Sequence, residues 1–156
     1  MTDVHSPEQR RYNMSRIRGK DTKPEMCVRR GLYRLGLRYR VNVRDLPGKP
    51  DLAFKLRRVA VFVHGCFWHG HQRCQYFKLP KSRTEFWKTK INSTISRDQL
   101  AIQALMSDGW RVLVIWECAL KGRELTDQSI KRSYDFITNE QLQFLELSAE
   151  GKRDQL

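Results

Sequence analysis

The residue pattern predicts an α/β fold, a mixed sheet flanked by helices, and three observations carry that prediction. Trp110 to Trp116 reads WRVLVIW, an almost continuously apolar run of the kind found in a strand covered on both faces. Asp51 to Leu56 and Val59 to His64 are short apolar runs separated by Arg57-Arg58, the pattern of a hairpin. Apolar residues at helical spacing bracket these strands in the chain. The chain has 156 residues, 40% of them hydrophobic, which suits one domain with one core.

Taken in order, the first 20 residues read as a polar, basic arm, with Met14 and Ile17 as its main apolar side chains. Thr22-Lys-Pro-Glu25 opens a helix: Thr22 caps it, Pro24 suits an early helical position, and Glu25 falls three after the cap. Val28, Leu32 and Leu35 follow at helical spacing and Gly36 closes the segment. Glu25 shares their stripe, an unusual address for a carboxylate. Tyr39 to Val43 reads as a strand, Leu46 to Pro50 as a turn, and the hairpin follows. Residues 65–82 look irregular. A long helix runs from Thr84 to Asp108 with Gly109 as its stop, then the buried strand, then a last helix over Thr126 to Leu147. Residues 21–125 form the expected core, and 126–156 a peripheral helix and tail.

Charge narrows the partners. The chain has 30 Lys and Arg against 17 Asp and Glu, a net +13, and residues 1–60 alone carry 16 basic and 6 acidic side chains. Such a surplus points to a polyanion, nucleic acid before membrane. The polar start and the lack of a span-length apolar run argue against secretion and membrane insertion, which places the chain in the cytoplasm.

Three constellations could carry chemistry. If the hairpin turns between Arg57 and Arg58, Phe54 faces Val61 and Asp51 faces His64, so a carboxylate and an imidazole share a sheet face where the apolar core stops. With Glu25 brought in by its helix, the three could converge on a hard cation such as Mg2+. The bland alternative is a turn-capping Asp51 and a satisfied core-edge His64, and a one-residue slip would favour it. The second is Cys66-x4-His71-x2-Cys74 with Cys118 far downstream, a Cys3His set matching a structural Zn2+ site that would staple residues 65–82 to the buried strand. His69 is a competing ligand, and Cys27 reads as an ordinary core thiol. The third is Phe67-Trp68 within that loop, with Trp87 nearby in sequence and Lys78, Lys81, Arg83, Lys88 and Lys90 around them. Aromatics on a braced, basic loop can wedge between bases or stack on them, although an arbitrary Trp is usually core.

The motifs Asn13-Met14, Asp21-Thr22-x-x-Glu25, Leu46-Pro-Gly-Lys-Pro-Asp51, His64-Gly-Cys-Phe-Trp-His69, Arg83-Thr-Glu-Phe-Trp87 and Gly109 to Cys118 carry a resemblance. Over Asn13 to Leu125 the chain resembles the very short patch repair endonucleases. The resemblance implies a restriction-endonuclease-like fold and Mg2+-dependent nicking of DNA 5′ to the T of a T:G mismatch left by 5-methylcytosine deamination. It makes Asp51 the metal-binding carboxylate, with Glu25, His64 and His69 around the scissile phosphate and Asp98 orienting His69. It also makes Cys66, His71, Cys74 and Cys118 the structural zinc ligands, Phe67, Trp68 and Trp87 a wedge beside the mismatch, and Met14 an apolar contact on the opposite groove side. Lys90 joins the DNA-contacting set.

Two positions depart from the family pattern. Val63 stands where Thr is familiar, so any metal contact there would come from its main-chain carbonyl. The loop carries Gly70, Gln72 and Arg73 in place of a His-rich run and is one residue longer before Cys74. The implied partner is double-stranded DNA with a T:G pair, bound by a monomer, with mismatch-repair factors as a further open possibility. Two rivals from other classes are a catalytically silent, zinc-stabilised DNA-binding module that recruits repair factors, and a basic RNA-binding structural protein. Carboxylates turned toward phosphate argue against both.

Overall fold

The computed structural model describes residues 6–9, 11 and 21–149. Met14 and most of the expected arm therefore lie outside the described residues. The first core element, α1 (Lys23–Arg34), forms for the reasons its sequence suggests: Thr22 Oγ1 accepts from the Glu25 N–H at 3.4 Å and Pro24 occupies the first turn. It buries Glu25, Val28 and Leu32. The Glu25 carboxylate reaches back to the Asp21 N–H at 2.9 Å rather than to the cap residue itself.

A five-stranded mixed sheet follows, in the spatial order β1 (Arg40–Val41), β2 (Leu52–Phe54), β3 (Val59–His64), β4 (Arg111–Trp116), β5 (Phe144–Leu147). The first three strands are antiparallel, and β3–β4 and β4–β5 are parallel. The long helix α2 (Thr84–Ser107) joins β3 to β4, and a 3-10 turn (Glu117–Leu120) with α3 (Arg123–Thr138) joins β4 to β5. Parallel neighbours need such crossovers, and helices on both sheet faces result. Every residue of β3 and β4 is buried. On one face Val28 and Leu32 of α1 and Ile130, Phe136 and Ile137 of α3 cover Leu52, Phe54, Val59, Val61, Leu113 and Ile115. On the other, Leu105 of α2 packs against Ala60, Phe62, Val112, Val114 and Trp116.

Gly109 ends α2 at φ +85°, where L side chains are strained. Its N–H bonds to Met106 O and that of Trp110 to Leu105 O, which closes the helix in a Schellman motif and starts β4 on a buried Trp110–Leu105 contact.

Three expectations are corrected. The hairpin register pairs Phe54 with Val59 and Leu52 with Val61, not Phe54 with Val61. The turn is a four-residue loop, Lys55 to Arg58, closed by Arg58 N–H to Lys55 O, with Arg58 at φ +54°. Partners slide by two, an even number, so Asp51 and His64 stay on one sheet face although they are not opposite each other. The helix expected across 126–147 divides into α3 and the strand β5, which pairs with β4 and makes this segment part of the sheet. The strand expected over 39–43 contracts to two residues.

Candidate active site and metal-binding cluster

The ends of β2 and β3, the start of α1, the loop after β3 and the middle of α2 meet around a cleft of about 1050 Å³. Asp51, Glu25, Val63, His64, His69, Asp98, Phe67 and Trp68 all line it. Asp51 follows the Leu46–Pro50 turn, and its Oδ2 accepts from the Val63 N–H at 2.7 Å across the hairpin. That bond replaces the direct Asp51–His64 opposition expected from the two-residue turn. Burial pushes the Asp51 carboxyl up to about 7, and the neighbouring Glu25 adds to the shift against the pull of the Val63 N–H.

His64 ends β3 and is 5% exposed. Its ring lies parallel to that of His69, centroids 3.9 Å apart. Burial and the nearby His69 push its pKa down to about 3, so it is neutral, and its Nδ1 has no hydrogen-bond partner. His69 Nδ1 lies 2.7 Å from Asp98 Oδ2 on α2. A carboxylate accepts only, so this contact selects the Nδ1–H tautomer and leaves Nε2 with its lone pair free for the cleft.

Sequence reasoning gave no role to Asp21, Arg29 or Glu117. Arg29 pairs with Asp21 at 2.8 Å and with Glu25 at 3.4 Å, neutralising two acids at the rim. The spacing of Glu25 and Arg29, four apart on one helix, is a readable signal for that pair. Glu117 lines the cleft because the 3-10 turn swings it there, and no spacing rule points to it.

Beside the cleft, one donor atom each from Cys66, His71, Cys74 and Cys118 lie within 4.8 Å of one another. Tetrahedral Zn2+ with these ligands has donor–donor edges of roughly 3.5–3.8 Å. Cys118 Sγ to His71 Nδ1 is 3.6 Å. The Ala149 N–H also points at Cys118 Sγ, at 3.4 Å. Its hydrogen bond with Cys66, together with His71, draws the Cys118 thiol down, while the same bond and burial push Cys66 up. A proton shared in this way would be displaced to solvent when a dication takes the two sulfurs. The donor set therefore fits a soft-ligand metal such as zinc, and His69, engaged by Asp98, is not among the four. A second trio, His64, His69 and Asp98, also has donors within 4.8 Å, but the two imidazoles lie parallel, so their lone pairs do not converge. Cys27, expected in the core, is only half-buried and lines a groove between α1 and α3.

Phe67, Trp68 and Trp87 pack edge to face, with ring centroids 5.1–5.8 Å apart. They are half-buried against one another rather than each projecting alone. Lys90 Nζ sits 5.6 Å from the Trp68 ring and 5.5 Å from Trp87. Phe86, which sequence reasoning passed over, is 45% exposed with the Arg83 guanidinium over its face.

Comparison with known proteins decides the family. The sequence profile described as DNA mismatch endonuclease Vsr matches residues 2–75. DNA mismatch endonuclease Vsr of Escherichia coli is 45% identical over 142 residues, 90% of each chain. The chain belongs to the Vsr family. The type II nicking enzyme V.XorIIP of Xanthomonas oryzae is 52% identical over 77% of this chain and 88% of its own length. V.NmeAIP of Neisseria meningitidis, also a type II nicking enzyme, is 40% identical over 85% of this chain and 94% of its own. The match to the Escherichia coli protein covers 90% of this chain, whereas the family profile ends at residue 75. No helix among the described residues is long and apolar enough to cross a membrane.

Proposed function

We propose that this Vsr-family protein nicks one strand of duplex DNA 5′ to the T of a T:G mismatch arising from 5-methylcytosine deamination, by Mg2+-dependent phosphodiester hydrolysis. The observation that carries the reading is the convergence of Asp51, His64 and the His69–Asp98 pair in one cleft walled by Phe67 and Trp68. Asp51 fits a hard cation: one oxygen is held by the Val63 N–H, the other is left for coordination, and burial makes its lone negative charge costly. The Val63 main-chain carbonyl is the second proposed metal contact, so loss of the threonine hydroxyl there is tolerable. Bound Mg2+ would supply Lewis-acid stabilisation of charge on the phosphate and leaving 3′ oxygen.

The protein's own groups do the rest. His69, with Nδ1–H committed to Asp98, presents Nε2 to accept a proton from the attacking water. His64, neutral and stacked beneath it, fixes the height of the His69 ring and offers a hydrogen bond rather than a charge to the phosphate. Glu25, tied to the Asp21 N–H and Arg29, holds the α1 end of the cleft. Phe67, Trp68 and Trp87 form a wedge beside the mismatched pair, Lys90 adds positive charge at its base, and Met14 contacts the opposite groove side. Zn2+ held by Cys66, His71, Cys74 and Cys118 would fasten the loop bearing His69 and Trp68 to the end of β4.

A strand-nicking assay on a duplex with one T:G pair, beside its T:A counterpart, with and without Mg2+, tests the reading. The expected result is a single Mg2+-dependent nick beside the mismatched T, abolished in Asp51→Ala with duplex binding retained. Binding without nicking in the wild type would overturn it in favour of a recruiting module.

A further inference from the structure

Two rings stand side by side at the ends of β3 and β4, because His64 and Trp116 are register partners in the parallel pair. Each carries an imidazole of the following loop on its face. His69 lies over His64 at 3.9 Å and 2°, and His71 lies over Trp116 at 4.0 Å and 6°. Trp116 also meets His64 edge-on at 5.2 Å. Among the described residues, the indole is thus the one ring that touches both the proposed catalytic stack and a metal-cluster histidine.

What sets the tilt of that indole is its N–H, which donates to a carboxylate oxygen of Glu146. Glu146 is on β5, opposite Val114, so it reaches Trp116 as a diagonal neighbour on the same sheet face. A buried indole N–H needs a partner, and a charged acceptor holds it in one orientation. Trp116 is 8% exposed.

We propose that Glu146 is a positioning residue of the nicking site: by anchoring the Trp116 indole it sets the plane on which His71 lies and the edge against which His64 rests, and so places His69 against Asp98. This rests on the nuclease reading above. It gives β5 a functional task that lies outside the segment carrying the family motifs.

The test compares Glu146→Ala, Glu146→Gln and Trp116→Phe with the wild-type chain in single-turnover nicking of the T:G duplex. Duplex Kd, zinc content and the Trp116 indole N–H resonance are read in parallel. Glu146→Ala is expected to slow nicking by about tenfold or more, the scale of a sub-ångström to one-ångström misplacement. Its Kd should stay within about twofold and its zinc stoichiometric. Glu146→Gln, whose amide oxygen also accepts the indole N–H, should recover most of the rate. Trp116→Phe keeps the stacking face but has no N–H; it should be slowed alike, and Glu146→Ala should add nothing to it.

A wild-type rate in Glu146→Ala, additive losses in the double variant, failure of glutamine to rescue, or loss of zinc would each overturn the assignment. If Glu146→Ala does not fold, Trp116→Phe decides alone, and a wild-type rate there refutes the proposal. A wild-type chain that does not nick refutes the nuclease reading instead. The indole resonance then still decides this inference: it should lie downfield in the wild type and move upfield in Glu146→Ala, and an unmoved resonance overturns the anchoring.

Discussion

Replacing Asp51 with asparagine should stabilise the protein while abolishing its proposed chemistry. The carboxyl is raised from 3.8 to about 7. That rise sets a ceiling of ~4 kcal/mol on what the buried carboxylate costs above neutral pH. Partial solvent access lowers the realised gain to ~1–3 kcal/mol, or a Tm rise of roughly 2–10 °C for a chain of this size. Asparagine is isosteric, and its Oδ1 can still accept from the Val63 N–H.

The pH dependence is the sharper signature. Between pH 4 and 7 the folded state keeps the Asp51 proton and the unfolded state does not, so this group makes stability fall as pH rises. His64 has the opposite slope: its pKa is lowered to about 3 in the fold, so stability is lost as pH falls below about 6.5. The difference between wild type and Asp51→Asn cancels the His64 part. Denaturant unfolding of both chains from pH 4 to 8, in zinc-replete buffer without Mg2+, should show a gain near zero at pH 4 that grows to a plateau above pH 7. Added Mg2+ should then raise the wild type and leave the variant unmoved. An asparagine chain less stable than wild type at pH 8, or a gain indifferent to pH, would refute the reasoning.

Other expectations concern the loop and the sheet. Cys66→Ser and Cys118→Ser should each lose bound zinc by metal analysis and fall in Tm, and stoichiometric zinc in both variants would remove this ligand set. Gly70 sits where an added Cβ would lie 2.6 Å from Ile91 and 2.7 Å from Ile95 of α2. Gly70→Ala should therefore lift the loop and weaken metal retention in a chelator competition. Arg111, a charge inside the apolar β4, donates to the Phe136, Ile137, Asn139 and Leu142 carbonyls at the end of α3. Arg111→Met should cost ~2–4 kcal/mol in denaturant unfolding by stranding those acceptors. Trp68→Ala should reduce the preference for T:G over T:A duplex in binding, and an unchanged ratio would remove its wedge role.

Most of the elements were legible because their signals are local. Thr22, Pro24 and Glu25 announce a helix start, Gly109 a helix stop, and WRVLVIW a strand buried on both sides, each through the conformational preference or solvation of a few adjacent residues. The Cys66–His71–Cys74 spacing is local too, and the motifs around His64 and Asp51 were enough to suggest the family. The hairpin loop was misread because Arg57-Arg58 carries no turn residue, and the four-residue closure depends on Arg58 taking a left-handed conformation that its side chain does not advertise. β5 was missed because FLEL after a helical run can continue that helix. Only an open, apolar β4 edge turns it into a strand.

By itself, then, the sequence determined most of the element types, the basic charge, the Cys66–His71–Cys74 part of the metal-ligand set and the carboxylate at position 51, all consequences of chemistry readable within a few residues. Tertiary structure alone decided that Asp51 grips the Val63 N–H, that His64 is held neutral under His69, and that Glu146 reaches Trp116. Those outcomes depend on which strands become neighbours and how deeply each group is desolvated. Both are set by the packing of distant segments against one sheet, and no short stretch of chain encodes them.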